Sequence, residues 1–221
     1  MITVGLADDE PLFAAGLAMI LDAQPDVRVL WQAVDGADAI RRHRCAQPDV
    51  LLLDVQMPGI DGIAVTRQLV ADGSPTRIVI LTTFDADEYV LTAIEAGAAG
   101  FLLKNTPPDR LVEAIRTVHR GDAVLSPGPT RRLFASYRAR PAATARSRAV
   151  EDQATDLTER EREVLALIAR GLTNSEICEH LWLSMPTVKT HVGNLLAKTG
   201  SRDRVQLVLY ALRTGIADVD A

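Results

Sequence analysis

This sequence predicts an α/β fold, a doubly wound parallel sheet, followed by a small all-α domain. Strand-like runs at 3–7, 27–33, 50–53, 77–81 and 100–103 alternate with helix-like segments at 12–22, 37–45, 63–71, 87–96 and 109–120. The runs at 50–53 and 78–81 are continuously apolar rather than alternating, as strands covered on both faces must be. Repeated β–α units put helices on both faces of such a sheet. Five strands and five helices within residues 1–120 match a flavodoxin-like five-stranded sheet. Beyond residue 156 only helix-like segments follow, at 158–170, 174–181, 185–199 and 204–214. Gly171, Leu183-Ser184 and Gly200-Ser201 separate them.

Between the two regions the periodicity dissolves. Ser126-Pro127-Gly128-Pro129 breaks any helix, and 141–148 is an Ala/Arg/Ser-rich run. Residues 121–155 therefore read as a linker, with room for a short helix, between domains at 1–120 and 156–221. Order resumes at Thr158, which forms a capping box with Glu161 three residues on.

The net charge of −5 is unevenly distributed. Residues 1–120 carry 10 Lys and Arg against 17 Asp and Glu, whereas the stretch 184–214 carries Lys189, Lys198, Arg202, Arg204 and Arg213 against Asp203 alone. An acidic front and a locally basic tail point to different partners. No apolar stretch approaches the roughly 20 residues that span a bilayer. Asp8-Asp9 interrupts the apolar start, so neither membrane association nor a signal peptide is expected. Cys45 and Cys178 fit no metal-ligand or CxxC spacing and read as buried thiols of a cytoplasmic protein.

Several strand ends carry charged or hydroxyl residues: Asp8-Asp9 after the first run, Asp54 after the third, Thr82 after the fourth and Lys104 after the fifth. In an open parallel sheet, ligands bind just beyond the carboxyl ends of the strands. An Asp after a strand is more often only a helix cap; the full set in this order is more specific. A phosphoryl-accepting carboxylate needs Mg²⁺ to neutralise the incoming oxygens and a cation for the one that remains. Asp8 and Asp9 suit metal ligation, Asp54 suits both ligation and nucleophilic attack, Thr82 supplies a hydroxyl, and Lys104 supplies a point charge.

Asp8-Asp9-Glu10-Pro11, Asp54-Val55-Gln56-Met57-Pro58-Gly59-Ile60-Asp61-Gly62, Thr82-Thr83 and Ala96-Gly97-Ala98-Ala99-Gly100-Phe101-Leu102-Leu103-Lys104 closely resemble a two-component receiver domain over residues 2–120. The resemblance implies that Asp54 is phosphorylated by a sensor histidine kinase. Asp9, Asp54 and the Gln56 backbone carbonyl would ligate Mg²⁺, with Asp8 acting mainly through water. Thr82 and Phe101 would form the conformational switch, and kinase recognition would use the first helix, around 12–21. In that family the peptide after the lysine is often cis, which leaves Lys104–Asn105 open between the two forms. Gln56 and Phe84 lie where such domains tune water access to the phosphoaspartate.

In the second region, segment 174–181, a short turn and a longer helix capped by Ser184 have helix-turn-helix proportions. On a helical wheel Val188, Val192, Leu195, Leu196 and Thr199 form one apolar stripe. Pro186, Thr190, Gly193 and Ala197 oppose it, flanked by Thr187, Lys189 and Asn194. A small, polar outer face lets a helix sit deep in a major groove. Taken alone this would be a solvated face. However, Leu157-Thr158-Glu159-Arg160-Glu161, Gly171-Leu172-Thr173-Asn174-Ser175-Glu176-Ile177 and Leu183-Ser184-Met185-Pro186-Thr187-Val188-Lys189-Thr190-His191-Val192 resemble a LuxR-type DNA-binding domain. That resemblance implies that Thr187, Lys189, Thr190, Asn194 and Lys198 face double-stranded promoter DNA. Gly193 leaves a gap in this face, so DNA shape is expected to share the specificity. His191 is expected to pack against a neighbouring helix, and Trp182 and Trp31 to lie in their domain cores. The last segment has a core stripe of Val205, Val208, Leu209 and Leu212, and a second apolar face of Leu207, Tyr210 and Ala211. That second face is expected to form a homodimer.

Together these readings describe a NarL/FixJ-type response regulator, not an enzyme, with phosphorylation freeing the DNA-binding domain from an occluding receiver. A haloacid-dehalogenase-like phosphatase would need a second carboxylate two residues after its nucleophile, where this chain has Gln56. A quorum-sensing regulator would lack the acidic pocket. The live alternative is a transcription factor whose intact receiver is uncoupled from DNA binding.

Overall fold

The computed structural model describes residues 1–83, 87–121, 124–125 and 157–216. The chain divides into two compact units, Met1–Leu133 and Phe134–Ala221. The first alternates β1 (Ile2–Ala7), α1 (Pro11–Asp22), β2 (Val27–Ala33), α2 (Gly36–Cys45), β3 (Val50–Asp54), α3 (Gly62–Ala71), β4 (Arg77–Thr82), α4 (Asp87–Ala96), β5 (Gly100–Leu103) and α5 (Pro108–His119). All five expected strands are present. A sixth of two residues, β6 (Val124–Leu125), extends β5 in parallel within the stretch read as linker. The sheet order is β2-β1-β3-β4-β5-β6. Because every pairing is parallel, the carboxyl ends of the central strands share one edge: Ala7 pairs with Leu53, Asp54 with Leu81 and Thr82 with Leu103.

The continuously apolar β3 has Leu51, Leu52 and Leu53 fully buried. Each such leucine contributes about 1.5–3 kcal/mol by leaving water. One core face packs Val4, Leu6, Leu52 and Leu81 against Leu17 and Leu21 of α1 and Leu111 and Ile115 of α5. Trp31 is buried as expected. Its Nε1–H donates to the Ala46 carbonyl at 2.8 Å, and its ring lies so close to Gly5 that a Cβ there would approach it to 2.7 Å. The Lys104–Asn105 peptide is trans. Cys45 departs from expectation: as the last residue of α2 it is exposed, and Cys178 is half-buried.

The second unit contains α6 (Glu159–Ala169), α7 (Asn174–Leu181), α8 (Met185–Thr199) and α9 (Arg204–Thr214) among its described residues. Thr158 with Glu161 and Thr173 with Glu176 form two complete capping boxes. Ser184 and Asp203 cap α8 and α9. Two expectations fail here. Leu207, Tyr210 and Ala211 do not form a free face; α9 packs on both α6 and α8, and these three side chains are at most 3% exposed. A helix held between two neighbours needs two apolar faces without any second chain. Trp182, expected in the core, is 93% exposed, because it falls in the turn between α7 and α8 rather than on a helix stripe.

Candidate functional site

Asp8 directly follows β1 with its backbone N–H on the Ala33 carbonyl, and Asp54 ends the neighbouring β3, each one residue beyond the Ala7–Leu53 pair. Lys104 follows β5, its N–H donating to the Thr82 carbonyl at 2.8 Å. These anchors fix the side chains. Lys104 Nζ lies 2.9 Å from Asp54 Oδ2, 2.9 Å from Asp8 Oδ2 and 2.7 Å from Glu10 Oε1, and sits 4.9 Å above the Phe13 ring centroid. Asp54 Oδ1 accepts the Gln56 N–H at 3.3 Å, and Asp8 Oδ1 accepts the Glu10 N–H at 2.9 Å. The loop after β3 is closed by the Gly62 N–H on the Val55 carbonyl, with Asp61 capping α3.

The residues expected at the pocket are placed unequally. Asp8, Asp54 and Lys104 meet directly, and Thr82 is buried at the end of the adjacent strand. Phe101 is fully buried in β5. Asp9 is exposed and lies on a neighbouring open cleft of about 460 Å³, lined also by Gln56, Met57, Asp61 and Tyr89. Phe84 lies outside the described residues. Glu10 and Phe13 were not anticipated. Both stand at the start of α1, and their reach to Lys104 exists only once β1 and β5 lie in one sheet.

Burial pushes the carboxyls of Asp8 and Asp54 above their ordinary range, and Lys104 offsets this only in part. Burial also opposes the Lys104 charge, but hydrogen bonds to Glu10, Asp54 and Asp8 outweigh it and hold the ammonium above its ordinary value. Three carboxylates thus face one ammonium, leaving a surplus of negative charge. Ligand atoms of Asp8, Glu10 and Asp54 lie within 4.8 Å of one another. Asp8 Oδ2 is buried and faces the Lys104 ammonium at 2.9 Å. An all-oxygen donor set with more carboxylates than the one ammonium can neutralise fits a hard divalent cation.

On α8 the outward face is as the wheel placed it. Lys189, Thr190, Gly193, Asn194 and Ala197 are exposed, while Val188, Val192 and Leu195 are buried. Thr187 is half-buried, its Oγ1 2.8 Å from Ser184 Oγ, and Thr190 Oγ1 donates to the Pro186 carbonyl. Lys198 Nζ pairs with buried Glu161 at 2.8 Å, tying the end of α8 to the start of α6. Glu161 therefore serves both the capping box and this ion pair. His191 is half-buried, its Nδ1 enclosed.

A parallel sheet with this acidic edge, joined to a helix-turn-helix unit, defines a class of signal-responsive DNA-binding proteins. Residues 4–116 match the response regulator receiver domain, and residues 155–211 match the bacterial regulatory proteins of the luxR family. Over 216 residues the chain is 43% identical to the uncharacterized transcriptional regulatory protein YxjL of Bacillus subtilis, covering 97% of each chain. It is 38% identical to the transcriptional regulatory protein LiaR of the same organism, over 99% of this chain and all of that one. The crystal structure of ChrA, a response regulator of a heme-sensing two-component system, is similar with a TM-score of 0.52 and 34% identity, covering 97% of this chain and 98% of that one. The chain belongs to the two-component response regulators that carry a receiver and a LuxR-type DNA-binding domain. No helix among the described residues is long and apolar enough to cross a membrane.

Proposed function

We propose that Asp54 is the phosphoacceptor and that its phosphorylation controls promoter binding by α8. One observation carries this reading: a single buried lysine bridges Asp54 and Asp8 at the sheet edge. In the transfer, an Asp54 carboxylate oxygen attacks the phosphorus of a phosphohistidine on the sensor kinase. A P–O bond forms as the P–N bond breaks, and the electron pair returns to the imidazole. Asp8, Asp9, Asp54 and the Gln56 carbonyl would hold Mg²⁺, which supplies charge neutralisation for the phosphoryl oxygens. Lys104 then holds one phosphoryl oxygen, and the Thr82 hydroxyl and Phe101 relay the change. The start of α1 supports kinase docking there, since Leu12 is 91% exposed.

Lys189 and Asn194 carry the DNA contacts best supported by exposure, with Thr187 and Thr190 lining the same face and their hydroxyls engaged locally. Lys198 would share its ammonium between Glu161 and a phosphate. The phosphorylated or DNA-bound form is a homodimer, through surfaces other than the buried face of α9. The protein acts in the cytoplasm, where its kinase partner and promoter DNA meet. The test compares wild type with Asp54→Asn, with and without Mg²⁺ and beryllofluoride, measuring mass in solution and binding to a random-sequence duplex pool. A dimer with tighter DNA binding in wild type alone supports the reading. Unchanged binding despite confirmed phosphoryl-analogue loading would refute the coupling and make the protein a constitutive DNA-binding regulator.

A further inference from the structure

Trp182 is the one non-glycine residue at positive φ among the described residues, with φ 55° and ψ 43° at the end of α7. The other turns of this unit that need a left-handed residue use Gly171, Gly200 and Gly215. A β-carbon is disfavoured there, and glycine or asparagine serves the backbone better. The indole is nevertheless retained, and it is 93% exposed. Among the described residues it makes no hydrogen bond, so it gains neither burial nor a partner within its own unit. An apolar ring held on the surface in an unfavourable backbone conformation has its use outside its own unit.

The surroundings specify the occupant. Ser184, the cap of α8, follows Trp182 by two residues, and the exposed face of α8 carries Lys189 and Asn194. Arg160 donates to the Leu181 carbonyl at 2.9 Å, holding a guanidinium beside the same turn. In a helix-turn-helix the second helix enters the major groove and the first crosses the phosphate backbone, so the turn between them borders the groove wall. An indole offers one N–H donor and no acceptor, which suits a phosphate oxygen.

We infer that Trp182 contacts the DNA backbone: its ring lies against the sugar–phosphate strand bordering the groove that α8 occupies, and Nε1–H donates to a phosphate oxygen. The inference rests on the DNA-binding reading above and adds a residue that reads no base, so its contribution is independent of sequence.

The full phosphorylated chain is titrated with a random-sequence duplex pool, following both anisotropy of the labelled DNA and tryptophan emission. Trp182→Gly relieves the backbone and so keeps the fold, with a thermal midpoint no lower than wild type. Its affinity falls about tenfold, the loss of one charge-assisted hydrogen bond with its packing. DNA changes the emission of wild type but not of Trp182→Gly, whose remaining Trp31 is buried. Trp182→Asn, equally suited to the turn, tracks the glycine variant. Wild-type affinity in either variant, or wild-type emission unmoved by DNA, overturns the inference. So does intact DNA affinity with lost promoter activation, which would assign the ring to a protein partner. If wild type itself binds no duplex in any state, the DNA-binding reading falls first and this inference with it.

Discussion

Replacing Gly62 with alanine would put a methyl carbon 2.0 Å from the Asp54 carbonyl oxygen and 3.2 Å from Leu53 Cγ. Ordinary contact begins at 3.4 Å, so the end of β3 and the start of α3 must separate by more than an ångström. The nearest obstacle is the Asp54 backbone, and Gly62 is also held by its N–H on the Val55 carbonyl at 2.9 Å. Relief therefore moves Asp54 itself, and with it the 2.9 Å contact to Lys104. Overpacking of this kind costs about 1–3 kcal/mol or more of stability. A misplacement of about 1 Å at a reacting group costs about a hundredfold in rate. The assay is phosphoryl transfer from acetyl phosphate in saturating Mg²⁺, with thermal unfolding measured in parallel. Gly16→Ala is the control, because nothing lies within 4 Å of its added Cβ. A Gly62→Ala protein that melts with wild type and accepts phosphate at the wild-type rate would refute the claim that this glycine sets the position of Asp54.

Other predictions follow from contacts elsewhere. Gly193 lies inside α8 with open space around it, so Gly193→Ala should stabilise the second unit by about 1 kcal/mol, seen as a midpoint raised by about 4 °C. Glu161→Ala removes both a capping carboxylate and the partner of Lys198, and should cost about 2 kcal/mol; a double-mutant cycle with Lys198→Met should return a coupling of about 1 kcal/mol, and zero coupling would dismiss the ion pair. His43 is buried with Nε2 2.9 Å from Thr76 Oγ1 and 3.0 Å from Ser74 Oγ. Thr76 Oγ1 spends its proton on the Pro48 carbonyl, so it accepts from His43, which is the Nε2–H tautomer. Burial holds the His43 pKa below its ordinary 6.5, only partly countered by Asp72. Its folded pKa being depressed, the stability it contributes is present above pH 6.5 and lost as pH falls through the folded value. Unfolding of His43→Leu by urea should lack that acid limb; an unchanged pH profile would exclude His43 as its source.

The sheet was legible because two of its central strands are apolar without interruption and four of the five expected strands end at a residue of distinct chemistry. Asp8, Asp54 and Lys104 could be placed together from strand order alone. The reach of Glu10 to Lys104 could not, since it depends on how α1 leaves β1. Residues Val124 and Leu125 carry no periodicity, so β6 had no signal beyond its neighbours. Helical wheels located the exposed face of α8 correctly, but they do not apply to a turn residue, and Trp182 was assigned by its hydrophobicity alone. The two apolar faces of α9 were real in the sequence. What a wheel cannot report is whether the second is covered by the same chain, as Leu207, Tyr210 and Ala211 are.

The strand order also governs how the nascent chain can fold. β1 lies between β2 and β3, and Val4 pairs with Val50. As synthesis proceeds, β1 can find β2 early, but its other edge has no partner until Val50 has cleared the ribosome. Throughout that interval an apolar strand presents an open row of backbone donors and acceptors, the kind of surface that templates aggregation. The second unit exposes no such edge while it waits for its last helix, because its helices satisfy their backbone groups internally and close two of their ends with local capping boxes. A nascent receiver stalled before β3 should be the species that chaperones capture, whereas the helical unit should emerge ready to fold.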